Sequence, residues 1–229
     1  MNNISRSKRE SSLHFAIKNC YSIEGDKLEE WVDGFIVDIV RGDLLIEIQT
    51  SNFSMIKTKL SNLLNGHKVR LVYPIPKIKW IVYKSMCSGK IYRKRKSPKK
   101  GNLYDLFNEL IKILNLLSHK NLSIEVLMVE MEEIRCNDGK GSWRRKGISI
   151  KDRKLVRIFE KIVFESKSDF LKVLPENLSD PFTNRNLAKV LKISVNQSRK
   201  ITYVLRKIGV LAYVGKNGNQ MLFKRLHNL

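Results

Sequence analysis

Two runs of branched residues split by a tight turn constrain this chain more than any other stretch. Phe35–Val40 (FIVDIV) and Leu44–Gln49 (LLIEIQ) flank Arg41-Gly42-Asp43, and Gly-Asp is a favoured two-residue hairpin loop. With that loop, Arg41 pairs with Leu44, and counting outward sets Asp38 opposite Glu47. Directly opposed side chains have Cβ atoms about 4.5–5.5 Å apart, where like charges destabilise. A divalent cation relieves that repulsion. Two carboxylates and the carbonyl of Ile48 suit an oxygen-seeking ion, Mg²⁺ or Mn²⁺. Period two puts Gln49 on the face of Glu47. The other reading is that Asp38 faces solvent on a two-faced strand. Polar residues are nevertheless mixed into the rows Ile36-Asp38-Val40 and Leu45-Glu47-Gln49, where a simple amphipathic strand would segregate them.

The neighbouring segments predict an α/β core with a mixed sheet flanked by helices. Ser11–Cys20 reads as a helix with Leu13, Ile17 and Cys20 inward, and Leu28–Val32 as a strand. Asn52–Asn65 is an amphipathic helix stopped by Gly66. Lys68–Pro74 and Lys79–Lys84 read as two strands separated by a Pro-Ile-Pro connection. Residues 88–101 read as a basic loop, Tyr104–Leu117 as a helix, Ser123–Val129 as a strand, residues 136–147 as a second basic loop and Lys151–Phe164 as a helix.

The C-terminal rhythm differs. A short helix, Ser168–Leu174, precedes a helix at Arg185–Leu191, a three-residue turn and a longer helix at Val195–Ile208. Two strands, Val210–Val214 and Gln220–Lys224, then flank a glycine-tipped turn. That order is a small winged helix. The expected organisation is a basic arm at 1–10, a main domain at 11–165 and the winged unit at 168–229.

Asp38, then Glu47-Ile48-Gln49 at a strand end, an amphipathic helix and a further strand together resemble the PD-(D/E)xK, or restriction-endonuclease-like, nuclease core over roughly residues 11–84. The resemblance implies that Asp38 and Glu47 bind Mg²⁺ and that the third position activates the attacking water. Gln49 stands where lysine is usual, and it orients a water by hydrogen bonds rather than by charge. Some restriction enzymes of the superfamily carry Gln there and cleave. The resemblance also allows a lysine to come from the next helix (Lys57 or Lys59) or the next strand (Lys68). It further allows an extra acidic ligand near the first helix, Glu30 or Glu10. Asp33 and Asp43 read as turn residues, and His14 and His67 as structural histidines.

Charge points to a polyanion. Lys and Arg number 44 against 22 acids, a net +22, and ten cations but no acid follow Asp180. Double-stranded DNA is favoured over a membrane surface, because no basic amphipathic anchor with exposed aromatics is present. Asn196, Gln197, Arg199 and Lys200 open the expected recognition helix. Tyr203, Lys207, Lys216, Asn217 and Asn219 fall on phosphates. Arg93, Lys94, Arg95, Lys96, Lys99, Lys100, Arg144, Arg145 and Lys146 read as phosphate clamps. Trp143 either stacks on a base or anchors its loop. Three distant cysteines read as buried free thiols, and the absence of an apolar leader gives a cytoplasmic expectation. A metal-dependent DNA endonuclease follows, against an inert DNA-bound regulator on a nuclease-like core, or an RNA endonuclease. A homodimer would let a site that cuts one strand cut both.

Overall fold

The computed structural model describes residues 11–226. A seven-stranded mixed sheet runs in the order β1 (Lys27–Val32), β2 (Phe35–Arg41), β3 (Leu44–Ile48), β4 (Lys68–Lys84), β6 (Leu122–Asn137), β7 (Ile148–Phe164), with β5 (Ile91–Lys96) also paired to β4. The β2–β3 hairpin turns at Gly42-Asp43, with Arg41 opposite Leu44. One face is covered by α1 (Ser12–Tyr21), whose Leu13, Ile17 and Tyr21 pack on Ile39, Ile46, Ile48, Val72, Leu127 and Val129. Ser11 caps that helix by accepting from the His14 N–H at 3.2 Å. The opposite face carries Val37, Leu45, Leu71 and Val126 against Phe53, Leu60 and Leu63, the last two from α2 (Lys57–Leu63).

Several sequence expectations are corrected. Residues 68–84 form one strand, because Pro74 and Pro76 fall in the gap between the β3 and β5 pairings, where their missing N–H groups cost no ladder bond. Residues 91–96 of the expected basic loop form β5, an edge strand whose charges are solvated. The expected helix at 151–164 is β7, paired to β6 along its whole length. Register shifts at Met128/Val129, Glu130/Met131 and Ile134/Arg135 break the alternation in this ladder, so period two is hidden in the sequence. The helix expected at 52–65 divides into a 3₁₀ turn at Phe53–Met55 and α2, and that at 104–117 into 3₁₀ turns around α3 (Phe107–Leu110). Of the cysteines only Cys136 is buried, and Tyr21 takes the inward position expected of Cys20. The arm at 1–10 and Glu10 lie outside the described residues. Among the described residues no helix is long and apolar enough to cross a membrane.

The C-terminal elements are β8 (Phe182–Thr183), α4 (Asn184–Leu191), α5 (Val195–Lys207), β9 (Leu211–Asn217) and β10 (Gln220–Arg225), with a three-stranded sheet ordered β8-β10-β9. Thr183 and Asn186 close a capping box at the start of α4, and Ser194 caps α5. Ile201, Val204, Leu205 and Phe223 belong to the same apolar cluster as Leu106, Phe107, Leu110 and Phe164. Polar bonds join the same parts: Gln197 Nε2 donates to the Tyr104 carbonyl, and Lys200 Nζ donates to Asn108 Oδ1 at 2.7 Å. A shared core melts as a unit. We expect one calorimetric unfolding transition, and Leu205→Ala should lower the stability of the whole chain by about 2–5 kcal/mol. A separate transition for residues 181–229 would contradict the shared core.

Candidate functional site

Asp38 sits where the sheet opens. The β1–β2 ladder is registered at Leu28↔Ile39 and Glu30↔Val37, and the position between them, Glu29 facing Asp38, is skipped. Glu29 has φ +53°, a left-handed conformation inside β1 that interrupts its pairing there. On the other side the β2–β3 ladder ends at Ile39↔Ile46, just before Asp38 meets Glu47. Val37 packs on the α2 face and Ile39 on the α1 face, so β2 changes sides at this residue. With the ladder open, the Ile48 N–H donates to Asp38 Oδ2 at 2.8 Å.

The two carboxylates are approached from opposite faces. From α1, His14 Nε2 lies 3.2 Å from Asp38 Oδ2. From α2, Lys59 Nζ pairs with Glu47 Oε1 and donates to the Ile36 carbonyl. Glu47 is 3% exposed. Lys59 is the cation set against Glu47 Oε1, and it shares its ammonium with the Ile36 carbonyl. Burial, then the charge of Asp38, push the Glu47 carboxyl up to about 7, with Lys59 only partly offsetting them. Burial acts on Asp38 too. The His14 hydrogen bond and charge, the Ile48 N–H and Lys59 outweigh it and hold Asp38 below the usual carboxylate range.

Other residues singled out in the sequence divide between those near this pair and those elsewhere. Gln49 is half-buried beside it and spends its amide on the Asn52 carbonyl at 3.2 Å. Lys57 is exposed, and Lys68 is exposed and paired with Asp43 at 2.7 Å. Glu30 stands opposite Val37, one position off the row of Asp38. The acid on that row is Glu29, which takes Lys18 Nζ at 2.5 Å. Lys18 itself is fully buried. His67 pairs with Asp33 at 2.9 Å. Sequence reading passed over Glu29 and Lys18, and it assigned His14 a structural place. Spacing of four along α1 puts His14 and Lys18 on one helix face, but only the pairing of β1 with β2 sets Glu29 beside Asp38. Among the described residues no three His, Cys, Asp or Glu side chains form a metal-holding group.

The basic residues fall into four groups. Arg93, Lys94, Arg95 and Lys96 lie along β5, with Lys94 and Lys96 over the Trp80 ring at 5.2 and 5.9 Å and Arg93 over Tyr83. Lys99 lines a cleft of about 260 Å³ with Tyr73, Lys79 and Asn108, and Lys100 is exposed beside it. Arg144, Arg145 and Lys146 occupy the β6–β7 loop. On α5, Asn196, Arg199 and Tyr203 face solvent, whereas Gln197 and Lys200 are turned to the main sheet's domain. Arg185, Arg199, Asn219 and Gln220 line a cleft of about 340 Å³ between the two helices and the hairpin, and Lys216 is exposed on β9.

The chain belongs to the DUF8091 family. The model of that domain of unknown function matches residues 11–165, from α1 through the end of β7. Asp38, Glu47, Lys59 and His14 therefore all lie within the family domain. The chain is also 31% identical over 218 residues to an uncharacterized protein of Treponema pallidum (strain Nichols), covering 95% of this chain and 86% of the relative. No solved structure matches.

Glu47 makes the stability of the family domain depend on pH. A carboxyl raised from 4.5 to about 7 binds its proton more tightly folded than unfolded. Its contribution is present in acid and lost as pH rises through about 7. In EDTA, Glu47→Gln should therefore melt above the wild type at pH 8, and the margin should close toward pH 5. A margin constant over that range would contradict the shift.

Proposed function

We propose that the chain is a metal-dependent endonuclease acting on duplex DNA, built on a PD-(D/E)xK-like core with a C-terminal winged helix. The observation that carries this reading is the Asp38–Glu47 pair, Glu47 buried and Asp38 half-buried, with a single lysine ammonium set against Glu47 Oε1 and the Ile36 carbonyl. Two adjacent carboxylates repel unless cations neutralise them, and Lys59 only partly offsets burial and the charge of Asp38 at Glu47. A hard cation fits this donor set, with Asp38, Glu47 and the Ile48 carbonyl holding it. When bound, Mg²⁺ or Mn²⁺ supplies Lewis acidity toward the phosphate and a more acidic water.

The chain's own residues do the rest. Lys59, steadied by the Ile36 carbonyl, supplies the positive charge that Gln49 lacks, toward the attacking water or the phosphate oxygen that gains charge. Gln49 closes the strand end through Asn52 instead of serving as the charged group. His14 orients Asp38 from the α1 side. Glu29 is engaged by Lys18 and takes the place beside Asp38 for which Glu30 was considered. Arg199, Asn196 and Tyr203 on the outward face of α5, with Lys216 on the hairpin, are the proposed duplex contacts. The cations of β5 and, in the β6–β7 loop, Arg144, Arg145 and Lys146 are proposed phosphate contacts. The compartment we propose is the cytoplasm, and a homodimer is the proposed means of cutting both strands.

Purified protein should nick supercoiled plasmid with Mg²⁺ or Mn²⁺ and stop with EDTA. Asp38→Ala and Glu47→Gln should abolish nicking, and Lys59→Ala should slow it by about 10²-fold or more, while Gln49→Ala should have a smaller effect. Full nicking by Asp38→Ala would reject the site. Duplex binding with no metal-dependent cleavage of any nucleic acid would favour the inert regulator. Affinity should fall with salt at a slope of about −0.9 per phosphate contacted. Arg199→Ala should weaken it, and Gln197→Ala, which faces inward, should not.

A further inference from the structure

The β6–β7 hairpin ends in an indole held in water. Trp143 is 83% exposed at the tip, so it does not anchor its loop. Backbone and polar side chains hold the loop instead. Gly141 N–H donates to the Gly147 carbonyl at 2.8 Å, Lys146 N–H to the Trp143 carbonyl at 3.0 Å, and Arg145 Nε to the Ile148 carbonyl at 3.1 Å. Asp138, the acid of this loop, is taken by Lys140 N–H, Ser149 Oγ and Lys151 Nζ. The chain passes so close to itself that a Cβ on Gly141 would lie 1.9 Å from the Ile148 carbonyl oxygen. The Arg144 guanidinium lies 5.5 Å from the indole, and Lys140 and Lys146 are exposed in the same loop.

A large apolar ring presented to solvent among cations, with the neighbouring acid neutralised, has the chemistry of a base-stacking platform. Paired bases already stack on one another, so an indole finds a free base face only at an end or in an unpaired segment. The tip also stands well away from the acid pair. Glu47 is level with Leu71 and Ile124, and β6 climbs from Ile124 to Asn137, at most about 43 Å at ~3.3 Å per residue. That upper bound is a little more than one turn of duplex, roughly 34–36 Å.

We propose that Trp143 stacks on an unpaired nucleobase, and that the preferred substrate is a duplex that gives way to single strand about one turn from the Asp38–Glu47 pair. This deepens the nuclease reading and rests on its nucleic-acid part, not on cleavage. Base–aromatic stacking of this kind changes affinity by about 5- to 150-fold per base.

The test is fluorescence anisotropy with the full chain in EDTA, comparing a blunt duplex of about two turns with the same duplex bearing an oligothymidine tail. The tailed probe should bind about 10-fold tighter. Trp143→Ala should remove that margin with duplex affinity and melting temperature unchanged, and Trp143→Phe should keep most of it. A tail preference that survives Trp143→Ala, or an equal loss on both probes, would overturn the proposal. A wild type with no tail preference would overturn it while leaving duplex cleavage standing. Tail preference without any metal-dependent nicking would support the stacking role and reject the nuclease, and binding to neither probe would end both.

Discussion

The parallel pairing of β4 with β6, registered from Val69↔Leu122 to Tyr83↔Arg135, is the beam from which the main domain hangs. One edge of β4 carries β3 along its first part and β5 along its last, and the outer edge of β6 carries β7 throughout. A parallel pair is stable where both faces are covered. Along the first half they are covered, by α1 on one side and by α2 with the segment around α3 on the other. Farther along, the faces carry charged residues bound to aromatics and to each other, as in Trp80 Nε1 to Glu130 at 2.7 Å and Glu133 among Lys79, Arg135 and Arg153. The same beam thus makes a dry core at one end and a solvated, cationic arm at the other.

The candidate site lies at the dry end, where β2 and β3 part company. Opening the ladder at Asp38 frees the Ile48 N–H, and a side-chain carboxylate accepts it in place of a strand partner. The cost is electrostatic: a buried acid and a half-buried one lie side by side, and one lysine only partly offsets burial and repulsion at Glu47. Perturbed, mutually coupled groups of this kind cluster at functional sites more often than in structural cores. Here the opposite directions of the Asp38 and Glu47 shifts follow from unequal surroundings: His14, the Ile48 N–H and Lys59 outweigh burial at Asp38, whereas at Glu47 burial and the charge of Asp38 outweigh Lys59.

The C-terminal elements limit how that site meets a partner. α5 does two jobs along its length. Gln197 and Lys200 fasten it to Tyr104 and Asn108, while Asn196, Arg199 and Tyr203 remain outward. Apolar packing of Ile201, Val204 and Leu205 into the common core sets this rotation of the helix. Cationic residues on α5 and on the main domain are therefore held in one fixed relation, whatever they contact.

Local chemistry determined much of this molecule. Gly42-Asp43 fixed the β2–β3 hairpin and hence the meeting of Asp38 with Glu47, because a two-residue loop leaves one register. Ser11, Thr183 and Ser194 marked helix starts through their own hydrogen bonds, and the helix–turn–helix–hairpin order of the tail followed from short-range signals. Long-range pairing decided the rest. Residues 151–164 suit a helix by pattern, yet the open edge of β6 made them a strand, since a bulged ladder tolerates broken alternation. Two prolines looked like a chain break until the gap between β3 and β5 gave their missing donors nothing to lose. The partners of the acid pair were settled the same way. Which of Lys57, Lys59 and Lys68 reaches Glu47, and that His14 reaches Asp38, depends on how α1 and α2 roll onto opposite faces of one sheet, and burial across distant segments sets that roll.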